Sequence, residues 1–154
     1  MRYWLFKSEP SCYSILDLSR QPRQIGHWDG VRNYQVRNML RDEIKVGDLA
    51  LFYHSSCTPP GVAGVMEVVK AGYPDHTAWD VKAEHYDADS TPENPRWFMV
   101  DVKLKTIFPH FVTLSEIKAN AHLREMLILR KGNRLSITPV TASEWRVIEK
   151  MGGS

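Results

Sequence analysis

The run Gly61-Val62-Ala63-Gly64-Val65-Met66-Glu67-Val68-Val69-Lys70 constrains the fold more than any other segment. Its β-branched residues suit a strand, and its two glycines mark a bulge or a tight bend, as a strongly curved sheet needs. Other extended runs lie far from it along the chain. Arg2-Tyr3-Trp4-Leu5-Phe6-Lys7, bounded by Ser8-Glu9-Pro10, reads as a short first strand, and Leu49 to Tyr53 follows the turn Lys45-Val46-Gly47-Asp48. Trp97 to Lys105 alternates apolar and polar from Met99 onward, which predicts half-buried antiparallel pairing. Leu135-Ser136-Ile137 is a last short strand, which Pro139 is expected to end.

The helical signals between these runs are short. Val36, Met39 and Leu40 recur at three and four residues and predict a helix over 32–41, and a shorter one is expected over Tyr13 to Leu18. Thr113-Leu114-Ser115-Glu116 and Thr141-Ala142-Ser143-Glu144 each fit a capping box, in which hydroxyl and carboxylate satisfy the first helical N–H groups. Ala71 to Pro95, with Pro74, Pro92 and Pro95, is too long for a passive hairpin and is expected to be a surface excursion. Dispersed strands without regular βαβ alternation predict an α+β fold, a curved mixed β-barrel flanked by short helices. The 154 residues suffice for one domain, expected over 1–151, with 152–154 as a flexible tail.

With 43% hydrophobic and 25% charged residues the chain has the composition of a soluble globule. No apolar run approaches the roughly 20 residues that span a bilayer, and the N-terminus lacks the pattern of a secretory signal, so no membrane association and a cytoplasmic location are expected. Cys12 and Cys57 are expected as free thiols. The net charge of +2 argues neither for nor against a polyanionic partner. Its distribution is less even: Asp80 to Glu93 is acidic, whereas Arg96 to Arg134 is predominantly basic.

Glycine-rich phosphate loops are absent, so no nucleotide cofactor is expected. The six histidines are dispersed and no Cys-x2-Cys occurs, so neither is a metal. His54-Ser55-Ser56-Cys57 holds a base beside nucleophile types, although adjacency in sequence rarely gives triad geometry. Asp29-Gly30 signals a turn, and between His27 and Arg41, Trp28 and Tyr34 interleave with Arg32, Asn33, Arg37, Asn38 and Arg41. Tyr34, Arg37, Asn38 and Arg41 fall on one helical face. Aromatic rings offer stacking surfaces for bases, arginines neutralise phosphate, and an asparagine amide can read a base edge. The same residues also fit a plainer reading, with Trp28 in the core and the arginines solvated.

These blocks resemble the EVE domain family. The resemblance rests on Tyr3-Trp4-Leu5-Phe6-Lys7-Ser8-Glu9-Pro10, Trp28-Asp29-Gly30-Val31-Arg32-Asn33-Tyr34 with Arg37-Asn38, Gly47-Asp48, Phe52-Tyr53-His54-Ser55, Pro60-Gly61-Val62-Ala63-Gly64, Pro95 to Val102, and Arg134-Leu135-Ser136-Ile137 with Pro139-Val140. It covers nearly the whole chain in order. It implies a PUA-like β-barrel, related to YTH readers of methylated adenine, and a reader of modified bases, notably modified cytosine, in DNA or RNA. The implied base pocket comprises Lys7, Ser8, Glu9, Trp28, Val31, Asn33, Tyr34, His54, Ser55 and Ser136, and the implied phosphate contacts are Arg32, Arg37, Arg130, Lys131 and Arg134. The long basic N-terminal extension of nuclear members has no counterpart here, which suits a stand-alone bacterial form. The alternative is a small hydrolase of the ASCH type acting on modified nucleosides through Lys7, Ser8 and Glu9, with Ser55 as oxyanion donor.

Overall fold

The computed structural model describes residues 1–153. The expected strands form as β1 (Tyr3–Ser8), β3 (Leu49–His54), β4 (Gly61–Pro74), β5 (Phe98–Thr113) and β6 (Ile137–Val140), together with β2 (Ile25–Trp28), which no sequence signal had marked. They make one mixed sheet in the order β2-β5-β4-β3-β1-β6. β1 and β3 run parallel, and the other neighbours are antiparallel. The α+β class and mixed PUA-like sheet are as expected. The barrel is not closed, because β2 and β6 are the two edges.

Curvature enters through register shifts, four of them between β4 and β5 and one between β3 and β4 at Phe52/Tyr53. Gly64 sits at one of them. A side chain there would collide with the Thr106 carbonyl oxygen, so the close approach of β5 requires glycine. These bulges let β4 and β5 continue well past Lys70 and Lys105, where the simple alternation ends.

Alternation along β1 sorts its side chains onto two faces. Trp4 and Phe6 join a core with Trp28, Phe52, Met66 and Leu40. Leu5 joins the other with Tyr53, Phe108, Trp145 and Ile148. Helices α1 (Ile15–Arg20) and α2 (Tyr34–Asn38) cover the first face, and α3 (Leu114–Ala119) and α4 (Ala142–Gly152) the second. Both expected capping boxes form, and a third, Ser14 with Asp17, starts α1.

Three expectations are corrected. The helix over 32–41 is α2 followed by a wider π turn at Met39–Glu43, with Asn33 as its cap. Pro139 lies inside β6 opposite Trp4, tolerated because β6 is an edge strand that needs no N–H on its outer side. Gly152 and Gly153, expected in the tail, are the last residue of α4 and its left-handed cap. Ser154 lies outside the described residues. Both cysteines are free, and no helix among the described residues is long and apolar enough to cross a membrane.

Candidate functional site

The C-terminal ends of the parallel strands β1 and β3 open onto two cavities. The larger, about 690 Å3, is bounded by Lys7 and Ser8 from β1, Tyr13 and Gln21 around α1, His27 and Trp28 from β2, the loop Asp29–Asn33, Ser136 before β6, and Thr77, Ala83, Glu84 and His85 of the excursion. It falls within the range of small-molecule sites.

Trp28 reconciles the two readings of its indole. It is only 6% exposed, lying 5.2 Å between ring centroids from both Phe6 and Phe52, yet what remains exposed helps floor the cavity. Tyr13 beside it donates its hydroxyl to Gln21. Burial, then the carboxylates of Asp17 and Asp29, push its pKa up to about 12, so the ring stays neutral at physiological pH.

The wall opposite is held by a buried carboxylate. Asp75 Oδ2 accepts from the Gly30 amide at 2.9 Å and from Arg32 Nη1 at 3.0 Å, while Oδ1 accepts from the amide and hydroxyl of Thr77. Burial pushes its pKa up, but the hydrogen bonds from Thr77, Gly30 and Arg32 outweigh this and hold the carboxyl below its ordinary value. Arg32 also donates to the His85 carbonyl oxygen at 2.7 and 2.9 Å. One carboxylate and one guanidinium thus pin the excursion over the cavity mouth. Asp101, at the outer edge, accepts from the Tyr73 hydroxyl and lies 2.7 Å from His27 Nδ1.

Asp29 is the residue the sequence reading missed. It lines the cavity, and loss of solvent, then the nearby Asp75 carboxylate, raise its pKa above the ordinary carboxyl range. The signal was its place between Trp28 and Gly30, read there only as a turn. His27, Tyr13 and Gln21 escaped as well, because fold contacts between distant segments bring them to the cavity.

Of the residues implied for the base pocket, Lys7, Ser8, Trp28, Val31, Asn33 and Ser136 border the larger cavity. Asn33 Oδ1 is engaged as the α2 cap, accepting from the Val36 amide at 3.0 Å, and Ser8 Oγ donates to the Tyr13 carbonyl oxygen at 2.6 Å. Glu9, Tyr34, His54 and Ser55 lie outside it. Glu9 is exposed beyond the end of β1. Tyr34, 53% exposed, stacks on Trp97 at 4.9 Å with the Arg37 guanidinium also against it. His54 Nε2 accepts from the Ile15 amide, and burial, opposed by Asp17, lowers its pKa. Ser55 lines the smaller cavity, about 260 Å3, with Lys7, Tyr53, Ser56, Pro60, Leu114 and Ile128.

The predicted cations divide in the same way. Arg32 is tied into the wall, and Arg37 donates to Asn38 Oδ1 and the Arg96 carbonyl oxygen. Arg130, Lys131 and Arg134 are exposed on the loop before β6. Among the described residues no group of three or more His, Cys, Asp or Glu side chains could hold a metal.

A mixed sheet with an aromatic-floored polar cavity at the ends of its parallel strands defines a PUA-like domain. The chain belongs to the EVE domain family, whose model matches residues 2–151. It is 46% identical to thymocyte nuclear protein 1 of chicken (Gallus gallus) across 93% of this chain and 65% of that protein, and so spans just under two-thirds of that relative's length. It superposes on the human THYN1 protein in complex with 5-methylcytosine-containing DNA with a TM-score of 0.92 at 40% identity, covering 100% of this chain and 99% of that one. The ASCH protein of Zymomonas mobilis shares the fold alone, with a TM-score of 0.55 at 11% identity over 98% of this chain and 99% of that one.

Proposed function

We propose that this chain reads a modified cytosine in DNA, holding the extruded base in the larger cavity. The observation that carries the reading is an open cavity with an indole floor and the Asp29 carboxyl in its lining, in a chain that superposes on a family member solved with 5-methylcytosine-containing DNA. RNA is the second partner of this reading, and the cytoplasm its location.

The energetics are balanced. Extruding a base costs a few kcal/mol, and stacking returns about 1–3 kcal/mol. A methyl group buried beside Val31 or Trp28 adds about 0.8 kcal/mol, roughly fourfold in affinity. Discrimination beyond that needs hydrogen bonds, and Asp29 supplies the right kind. Its carboxylate accepts from the cytosine amino group, whereas thymine presents an acceptor oxygen at the same position. Lys7, Ser8, Trp28, Val31, Asn33 and Ser136 surround the base. Glu9, Tyr34, His54 and Ser55 act from outside the cavity, and Arg32, Arg37, Arg130, Lys131 and Arg134 supply positive charge toward phosphates.

No observation favours the hydrolase alternative. The Ser8 hydroxyl is engaged with Tyr13, and Glu9 borders neither cavity.

The test titrates otherwise identical oligonucleotides carrying 5-methylcytosine, cytosine or thymine at one position, followed by fluorescence anisotropy. Wild type is expected to bind the methylated cytosine most tightly. Trp28→Phe, which keeps the core filled, is expected to narrow the preference; Trp28→Ala is unsuitable because it would open the core. Equal affinity for all three sinks the reading.

A further inference from the structure

The two cavities lie on opposite faces of the sheet and share one wall, Lys7. Alternation places Lys7 with Leu5, and in register with Tyr53, on the face packed by α3 and α4. It reaches the other face as well because β1 ends one residue later, at Ser8. Burial lowers its pKa, and among the described residues no carboxylate offsets that desolvation. An ammonium desolvated without a counter-charge is poised for an anion arriving with the ligand.

The smaller cavity supports the same conclusion. At about 260 Å3 it is below the size of most drug-like sites and suits a single ring system. Its walls, Tyr53, Pro60, Leu114 and Ile128, are apolar, and Ser55 and Ser56 add hydroxyls. Ser56 is held at φ 54°, a left-handed conformation that non-glycine residues rarely adopt. Arg130, Lys131 and Arg134 lie on the loop that joins Ile128 of this cavity to Ser136 of the larger one, and none pairs with a carboxylate among the described residues. A strand of phosphodiesters passing from one cavity to the other around the end of β1 meets Lys7 at the turn, with this loop alongside.

We propose that the smaller cavity receives the base next to the extruded one, and that the Lys7 ammonium contacts the phosphodiester linking the two nucleotides. The inference rests on the reading of the larger cavity as the modified-base site. It adds a second subsite, so that the recognised unit is a dinucleotide.

The experiment is a mutant cycle. Oligonucleotides with one 5-methylcytosine carry a single uncharged methylphosphonate on either its 5′ or its 3′ side and are titrated against wild type and Lys7→Gln at several salt concentrations. One of the two neutralised linkages is expected to cost wild type about tenfold, a typical effect of losing one charge-assisted contact. Lys7→Gln is expected to lose a similar factor on unmodified linkages, to lose nothing further on the neutralised one, and to lower the salt slope by about one. In a second arm an abasic residue replaces either neighbour. Wild type is expected to weaken several-fold on one side, and Ile128→Trp, which fills the smaller cavity, to show no such difference. Additive losses for Lys7→Gln and the methylphosphonate, or wild-type indifference to both abasic neighbours, would overturn the proposal. Loss of wild-type preference for methylated over plain cytosine would instead strike the base-site reading beneath it.

Discussion

Replacing Asp75 by asparagine tests how the cavity wall is held. The Asp75 side chain is fully buried and the Arg32 side chain only 20% exposed. Its two oxygens accept four hydrogen bonds, from the Gly30 amide, Arg32, and the amide and hydroxyl of Thr77. Asparagine keeps one acceptor oxygen but removes the charge facing Arg32 and places an NH2 group against existing donors. Removing one member of a buried ion pair costs about 3–5 kcal/mol, and the retained oxygen places Asp75→Asn near the low end, about 3 kcal/mol. At about 2–4 °C per kcal/mol for a chain of this size, Tm falls by about 6–12 °C. The pH dependence follows from the same bonds. The folded carboxyl titrates below its ordinary value of about 3.9, so its stabilisation is complete above that pH and disappears as pH falls through the lower folded value. Urea unfolding at pH 7, 5, 4 and 3 measures this. The gap between wild type and Asp75→Asn should be constant from pH 7 to 5 and shrink below about 4. A gap under about 0.5 kcal/mol at pH 7, or one that does not shrink in acid, refutes the reasoning.

Other perturbations separate stability from recognition. Gly30 has φ 75°, and a side chain there would meet the His85 ring at 2.5 Å; Gly30→Ala is therefore expected to lose about 1–3 kcal/mol in urea unfolding. Asp29, whose folded pKa is raised, favours the fold when protonated and loses that advantage as pH rises through the folded value. Asp29→Asn should accordingly be more stable than wild type at pH 7 while discriminating less between 5-methylcytosine and thymine, read by calorimetry and by anisotropy; a variant less stable at pH 7 contradicts the assigned cause. Glu144→Ala removes half of the α4 capping box and should cost about 1 kcal/mol by thermal unfolding.

Much of the site was legible only in part, and particular residues show why. Trp28 stood out as an aromatic beside a turn, but its position as both core and floor depends on Phe6 and Phe52 arriving from β1 and β3. The face of Tyr34, Arg37, Asn38 and Arg41 assembles as its spacing predicts, with Arg37 and Arg41 both donating to Asn38 Oδ1. It borders Trp97 rather than the cavity, because α2 packs its Val36 and the following Met39 and Leu40 inward. Arg96 belongs to the basic second half by sequence, yet it lies within 3.5–3.6 Å of Asp87 and Asp89 in the acidic excursion.

The sequence by itself determined the local elements: the strands that alternate or carry β-branched runs, the capping boxes at Thr113 and Thr141, and the glycine-marked bend in β4. These depend on hydrogen bonds and steric limits among residues a few positions apart, which any window of the chain contains. Tertiary structure alone decided the strand order, the parallel pairing of β1 with β3, and the meeting of Asp75, Arg32 and Gly30 behind Asp29. The last two join segments some 40 residues apart or more, and all of them form only when burial of both faces of one sheet selects a single arrangement among the many that local preferences allow.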